Sequence, residues 1–463
     1  MKFNTEIKGT VARFAKDGTG EIDREGQTGS GKPLTPFRVY NTIPGETVTG
    51  RFVKRSKDGP KLELVSVDAP SPSRVAPRCP YAGTCGGCKW QHVDYPAQLQ
   101  GKLDTFFRVV AEKGVNEPAL RPGAFSIRPA PETFYYRNRM DFAFGRDGQL
   151  GLKSPDRWWD TLDLSTCFLL SPESVEIMAR VRTWAKESGL PFWNVKTHDG
   201  FFRYLVIREG KRTGERLVMP VTAAAAKAPV APDVLHAKMA ELPALLGNLA
   251  TSVVWGINPT VTDLSVADEL LPLKGDPWIF EEVNGVRYKI TPNAFFQTNT
   301  VMAEQLQNAV RDYCGDLRGK TLLDLFCGSG FFSLAFAQGP DAPVKTVGIE
   351  LSAEAIACAK ENAAVNGVHA EYFVSKAEDF DWKGHAPDVV ILDPPRAGLH
   401  PRVVETLLEA RPPRVVYVSC SYPRFLDEWK KLGAAYRLIR AEALDLFPHT
   451  PHMECVFLLE RKD

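Results

Sequence analysis

The sequence predicts a multidomain chain: a small OB-like β-barrel at the N-terminus, a central α+β region, and a C-terminal α/β domain on a doubly wound, Rossmann-like parallel sheet. Three observations carry this expectation. Short alternating segments fill residues 1–68, a proline-rich stretch follows them, and from residue 291 apolar strand-like runs alternate with helical stretches. A chain of 463 residues, 44% hydrophobic and 24% charged, has enough material for about two to three domains with full cores.

In residues 1–68 the segments "GTVARFA", "PFRVYNTI", "ETVTGRFVKRS" and "KLELVSV" are separated by Gly, Pro and Asp turns, a spacing that suggests a five-stranded barrel. Residues 1–66 carry 12 Lys and Arg against 8 Asp and Glu, densest at "RFVKRSKDGPK", which suits either a solvated face or an RNA-facing patch. "DAPSPSRVAP" then reads as a linker. Residues 69–290 open with a cysteine-rich loop and the helix-like "PAQLQGKLDTFFRVVAEKG". They continue through "FYYRNRMDFAFG" and "FFRYLVIREG" as an α+β region. Residues 291–463 contain "TLLDLFCGSG", "VKTVGIE", "PDVVILDPPR", "RVVYVSC" and "ECVFLLE", the strands expected of a parallel sheet.

No apolar run approaches the roughly 20 residues needed to span a bilayer, and the N-terminal segment lacks the apolar core of a signal peptide. A cytoplasmic protein with no membrane partner is expected. The net charge of +1 decides nothing about nucleic acid, since a basic face can be balanced elsewhere.

Three of the nine cysteines, Cys79, Cys85 and Cys88, fall within "CPYAGTCGGCKWQ", and Cys167 lies later in "LSTCFLL". Three thiols so close in a cytoplasmic chain suit metal or iron–sulfur ligation better than disulfides, and Gly83, Gly86 and Gly87 let the backbone wrap a bulky group. Zinc takes the same four thiolates, so spacing leaves zinc and a [4Fe–4S] cluster both open. Cys314, Cys327, Cys358 and Cys455 have no partner spacing and are expected in the core.

"LLDLFCGSGFFSLAFA" reads as strand, glycine turn and helix, with Gly328 and Gly330 in the turn. The dinucleotide fingerprint fails because Ser333 occupies its third glycine position. Glu350 ends the next strand, where an acid can take ribose hydroxyls, and Asp393 opens "DPPR" after another. Asp324, Glu350 and Asp393 at successive strand ends fit S-adenosylmethionine better than NAD. Cys420 ends "VVYVSC" and is a nucleophile rather than a core thiol in this reading. Uracil C5 is too weak to attack a methyl donor unaided, whereas a thiolate added at C6 makes C5 an enolate carbon. An ordinary thiol is only a few per cent ionised at neutral pH, so local activation of Cys420 is expected. A base must then remove the C5 proton; Glu454 is the candidate, with His449 and His452 as rivals.

At "AFFQTN", "DLFCGSG", "DPPRAGLH", "VVYVSCSYPRF" and "LDLFPHTPHMECVFLLER" the sequence closely resembles the RNA (uracil-5-)-methyltransferases. The resemblance implies a TRAM RNA-binding domain at the N-terminus and a [4Fe–4S] cluster on Cys79, Cys85, Cys88 and Cys167. It also implies Cys420 as nucleophile, Glu454 as base, and Gln297, Phe326, Glu350 and Asp393 as cofactor-binding positions, with Gly328 in the same loop. Arg137 or Arg139 falls where the family has an arginine near the active site. Two departures stand out: Ser421 and Tyr422 follow the nucleophile where the family has Asn-Pro, and Phe331 stands where ribosomal-branch relatives carry Asn.

The TRAM-like segment and the cysteine set together point to 23S ribosomal RNA as substrate, with tRNA as the alternative. The target uracil would leave its stack, and Tyr135, Tyr136, Phe201 and Phe202 are candidate stacking partners, though core strands suit them too. Cytosine-5 methylation is disfavoured because the "DPPR" loop lacks the cysteine those enzymes carry there. A non-catalytic iron–sulfur RNA-binding or ribosome-assembly factor is the remaining rival, opposed by the intact Cys420 and Glu454. A monomer is expected.

Overall fold

A computed structural model describes residues 2–27, 31–155, 157–228 and 230–463. The chain divides into two compact units. The first comprises Met1–Val109, Ser154–Asp156 and Phe447–Met453; the second comprises Val110–Lys153, Arg157–Leu446 and Glu454–Asp463. The expected boundaries at residues 68 and 290 both fall inside these units.

In the first unit, strands β1 (Glu6–Thr10), β2 (Arg13–Phe14), β3 (Gly20–Ile22), β4 (Phe37–Val39), β5 (Thr47–Lys54) and β6 (Lys61–Ala69) form a sheet in the order β1-β5-β6-β4-β3-β2. Six short strands appear where five were expected because the first segment breaks at Val11 and Ala12. The Val11 amide donates to Glu46 O at 2.8 Å and the Ala12 amide to Glu21 O at 2.7 Å. One segment therefore bonds to both ends of the sheet order. Val11, Ile22, Phe37, Val39, Val48, Phe52 and Leu62 fill its interior.

The proline-rich stretch is anchored rather than loose. Arg74 forks onto the fully buried Glu46 carboxylate at 2.5 and 2.7 Å and also donates to Asn41 O. Removing one partner of so buried a pair typically costs about 3–5 kcal/mol. Helix α1 (Tyr95–Glu112) follows, its first turn capped by Asp94, whose Oδ1 accepts the Ala97 amide at 2.8 Å.

The second unit holds two large sheets. After β7 (Ile127–Arg128) come β8 (Arg139–Phe144), β9 (Leu150–Gly151), β10 (Lys153–Ser154), which straddles the division, β11 (Arg157–Thr161), α2 (Pro172–Glu187), β12 (Phe202–Glu209), β13 (Arg216–Thr222), α3 (Pro232–Met239), α4 (Leu242–Leu246), β14 (Ser252–Ile257) and β15 (Glu269–Lys274). Six of these make a sheet in the order β15-β14-β13-β12-β8-β9. Its central strand β12 is buried along its whole length, which puts Phe202 in the core beside Phe201. Tyr136 is buried as well. These three rings are packed away from any RNA, because the apolar area they remove from water outweighs any use as stacking platforms.

A hairpin of β16 (Ile279–Val283) and β17 (Val286–Ile290) leads into the last sheet. Its elements are α5 (Thr300–Cys314), β18 (Thr321–Leu325), α6 (Phe331–Phe336), β19 (Lys345–Glu350), α7 (Ala353–Val365), β20 (Glu371–Val374), β21 (Val389–Leu392), α8 (Pro401–Ala410), β22 (Arg414–Ser419), α9 (Tyr422–Leu432), β23 (Tyr436–Leu444) and β24 (Glu454–Arg461). The order is β20-β19-β18-β21-β22-β24-β23-β7. Strands β18 to β22 pair in parallel as expected, but β24 runs antiparallel to both β22 and β23. The sheet is therefore mixed. Residues 445–453 form no crossover helix, so the chain returns from β23 antiparallel. Neither β20 nor β23 stands out in the sequence: one is a four-residue edge, and the other alternates buried and charged positions.

Candidate active site

The register of the parallel strands sets the site. Leu325 pairs with Ile349 and with Leu392, so Phe326, Glu350 and Asp393 each stand one step along the chain from a paired residue. Leu392 also pairs with Tyr417, and Ser419 with Cys455. One more step along each antiparallel strand puts Cys420 opposite Glu454.

At the glycine turn, the Phe326 and Cys327 amides donate to Ile349 O at 2.9 and 3.0 Å. Phe326 is held at φ +67°, a left-handed backbone costly for a side chain with a Cβ. Gly330 caps α6 at φ +87°, where a Cβ would meet Leu334 at 2.8 Å and the Tyr372 hydroxyl at 2.9 Å. Asp324 is fully buried. Its Oδ2 accepts the Ser333 amide from the first turn of α6 at 2.9 Å, and its Oδ1 has no hydrogen-bond partner. Burial and the nearby Glu350 push its carboxyl up to about 7, against the Ser333 bonds. Glu350 accepts the Gly328 amide at 3.3 Å and the Ser352 amide at 3.0 Å. Apart from the neighbouring residues of the chain, no atom lies within 4 Å of where a Gly328 Cβ would stand, so the turn itself borders open space. An anionic rim with an orphaned buried oxygen fits a cationic sulfonium cofactor bearing ribose hydroxyls.

Gln297 is buried just ahead of α5, and its carbonyl accepts Asn138 Nδ2 at 2.9 Å. The same loop pairs Arg137 with Asn299. Of the two arginines, Arg139 is occupied by Asp141 at 2.8 and 3.0 Å, whereas Arg137 keeps a buried Nε with no hydrogen-bond partner. Arg137 is therefore the arginine with donor capacity left over.

Cys420 is half-buried, and Glu454 is buried with its Oε1 lacking a hydrogen-bond partner. Burial, then the negative charge of Glu454 and Asp393, push the Cys420 thiol up to about 11, with Arg396 opposing them. Glu454 is itself pushed well above the usual carboxylate range by burial and Asp393, and Asp393 is raised by burial and Asp324. The structure thus brings thiol, carboxyls and guanidinium together, with burial and the carboxyls opposing ionisation of the thiol and Arg396 favouring it. A protonated Glu454 beside a thiol is the charge-sparing arrangement. Arg396 was visible in the "DPPR" motif without an assigned role.

The two rival histidines belong to the first unit. There the His449 amide donates to Gln98 Oε1 at 2.8 Å, and its ring Nδ1 lies 3.1 Å from Gln98 Nε2. Ser421 sits at the start of α9, its amide on Ser419 Oγ at 3.1 Å, and Pro423 occupies the first turn where no amide donor is needed. Ser-Tyr-Pro thereby starts a helix directly behind Cys420.

The cysteine set is separate. Cys79, Cys85 and Cys88 are half-buried in the first unit, and Cys167 is buried in the second. The Gly87 amide donates to Cys85 Sγ at 3.4 Å, a bond of the kind cluster sulfurs accept. Burial raises the Cys85 thiol, and Cys79 adds to this. Among the described residues, however, no group of three or more His, Cys, Asp or Glu is gathered to hold a metal ion. The other four cysteines, Cys314, Cys327, Cys358 and Cys455, are buried.

The chain is similar to several known proteins. Residues 281–462 match the family model described as tRNA (Uracil-5-)-methyltransferase. The tRNA (uracil(54)-C(5))-methyltransferase of Pyrococcus furiosus is 34% identical over 98% of this chain and 100% of its own. An RNA methyltransferase of Caldanaerobacter subterraneus, itself uncharacterized, is 33% identical over 93% of this chain and 94% of its own. The crystal structure of the Pyrococcus abyssi tRNA (uracil-54, C5)-methyltransferase in complex with S-adenosyl-L-homocysteine matches with a TM-score of 0.77 and 32% identity, covering 98% of this chain and 99% of that one. This chain belongs to the tRNA (uracil-5-)-methyltransferase family and is an RNA uracil-C5 methyltransferase.

Proposed function

We propose that the chain methylates C5 of a uridine in tRNA, with S-adenosylmethionine as donor. The observation that carries the chemistry is Cys420 across from Glu454 at adjoining strand ends, beside Asp393 and Arg396. S-adenosylmethionine supplies the electrophilic methyl group; Asp324, Glu350 and Asp393, with the turn at Phe326 and Gly328 and the Gln297 loop, are the residues that would hold it. The Cys420 thiol gives its proton to solvent water and its sulfur forms a bond to C6, which moves the C5–C6 π electron pair onto C5. Once C5 carries its methyl group, Glu454 in its ionised form takes the C5 proton, the C5–C6 double bond returns, and the Cys420 sulfur leaves.

The choice of tRNA rests on the relatives. The expectation of 23S rRNA relied on the N-terminal segment and the cysteines, yet the Pyrococcus proteins align across 97–98% of the chain and are named as tRNA enzymes. Accessory segments therefore do not favour rRNA. Incubation with labelled donor and separate unmodified tRNA and 23S rRNA, followed by nucleoside mass spectrometry, tests both levels. 5-Methyluridine in tRNA alone is expected; label in rRNA alone overturns the substrate, and none in either pool overturns the reaction.

A [4Fe–4S] cluster on Cys79, Cys85, Cys88 and Cys167 stands as a separate proposal. It is supported by the spacing and the Gly87 bond to Cys85, and no catalytic role follows from it. Iron and acid-labile sulfide near four per chain in anaerobically purified protein is expected; zinc or neither would refute it.

A further inference from the structure

Strand β11 presents Trp158 and Trp159 to solvent, 53% and 45% exposed, with their rings edge to face at 5.8 Å. Tryptophan is highly buried on average, so two consecutive open indoles are an exposed apolar feature that the core does not require. Trp159 lines a cavity of about 270 Å³ walled by the turn at Gly145–Gln149 and by Asn194 and Lys196. This is just under the roughly 300–1,000 Å³ of drug-sized pockets, room for one planar heterocycle.

The charges around it are arranged for an anion with an aromatic part. The Lys196 ammonium lies 4.4 Å from the Trp159 ring centroid. Arg146 and Arg157 are exposed and pair with the nearby Asp147 and Asp160, at 3.3 and 3.7 Å. Gln149 and Asn194 add amide groups. The support beneath is rigid: the Arg203 guanidinium donates to the carbonyls of Asn258 and Thr260 at 2.9 and 2.6 Å and stacks over Trp193 at 4.5 Å. All of this lies outside the 281–462 segment that the family model matches.

We propose that this groove binds an unpaired nucleotide of the substrate RNA. Its base stacks on Trp159, its flanking phosphates meet Arg146, Arg157 and Lys196, and its edge reaches Gln149 and Asn194. An acidic peptide fits less well, because Asp147 and Asp160 repel a run of carboxylates while the amino edge of a base can donate to them. The inference rests on the RNA-substrate reading above and concerns affinity rather than chemistry.

The test is fluorescence anisotropy of labelled, unmodified tRNA transcript with the full-length protein at one fixed salt concentration. Trp159→Ala and the Arg157→Glu/Lys196→Glu pair are each expected to raise Kd at least about fivefold, with Trp159→Phe within about twofold of wild type. S-adenosylhomocysteine affinity by calorimetry is expected to stay unchanged, which separates loss of the groove from misfolding. Unaltered RNA affinity in both weakened variants overturns the proposal, as does wild-type protein that binds no RNA. Because binding is read without turnover, lost affinity alongside absent 5-methyluridine keeps the groove and removes the methylation reading.

Discussion

Cys420 and Glu454 stand across the antiparallel pair β22–β24, one step beyond the Ser419–Cys455 partners. The proposed nucleophile and base are thereby set by a single register rather than by two independent loops. A one-residue slip of β24 would turn Glu454 to the opposite face of the sheet and bring Cys455 toward its place.

The first consequence is a pH dependence. With the Cys420 thiol pushed up to about 11 by burial, Glu454 and Asp393, only a small thiolate fraction exists at neutral pH. Adduct formation in a single turnover is expected to rise as pH goes from 7 to 9, by up to about tenfold per unit. Arg396→Leu removes the opposing cation and is expected to slow adduct formation at every pH in that range. Rapid quenching followed by a denaturing gel of protein–RNA adduct reads both effects.

Removing either partner should interrupt the reaction at different points. Cys420→Ala is expected to form no adduct and no 5-methyluridine. Glu454→Gln is expected to form adduct that persists, because no carboxylate is present to take the C5 proton. A Glu454→Gln variant that turns over at the wild-type rate would exclude Glu454 as the base.

Glu428 on α9 ties the loop after Asp393 to the strand before Cys420. One oxygen accepts the Leu399 amide and the other the Tyr417 hydroxyl, both at 2.8 Å. Glu428→Ala leaves these two donors without partners and is expected to cost about 1–3 kcal/mol of stability. It is also expected to lower kcat more than it raises KM, since Asp393 and Cys420 lose their common brace. Urea unfolding and steady-state kinetics on one preparation check the two effects.

His92 gives the first unit a stability that depends on acid. Burial, with Arg74 nearby, lowers its pKa to about 4 from an ordinary 6.5, and its Nε2 lies 3.4 Å from Thr42 O. The folded form then binds fewer protons than the unfolded chain between those values. The contribution is fully present above pH 6.5 and is lost as pH falls toward 4, by at most about 3 kcal/mol. His92→Gln is expected to show a shallower loss of urea stability between pH 6.5 and 4.5; an unchanged slope would count against the assignment.

Much of the candidate site's rim of strand ends was legible because buried parallel strands have to be continuous apolar runs. Where "VVIL" and "RVVYVS" stop, the next residues, Asp393 and Cys420, stand out as polar groups at strand ends. Local strain was not legible: nothing in "LFCGSG" announces that Phe326, as well as Gly328 and Gly330, takes a positive φ. Contacts distant in sequence were hidden as well, including Ser333 on Asp324, Glu428 on Tyr417 and Leu399, and Arg74 on Glu46. Each joins residues whose spacing follows no helix or strand period.

Taken alone, the sequence determined which residues could do the chemistry and the strands that carry them, since hydrophobic period and glycine turns are local properties. Only the tertiary structure decided the antiparallel insertion of β24 that puts Glu454 opposite Cys420. It also decided the burial that makes that thiol weakly acidic, and the exposure of Trp158 and Trp159. Pairing partners and desolvation are set by segments far apart in the chain, and no local pattern encodes them.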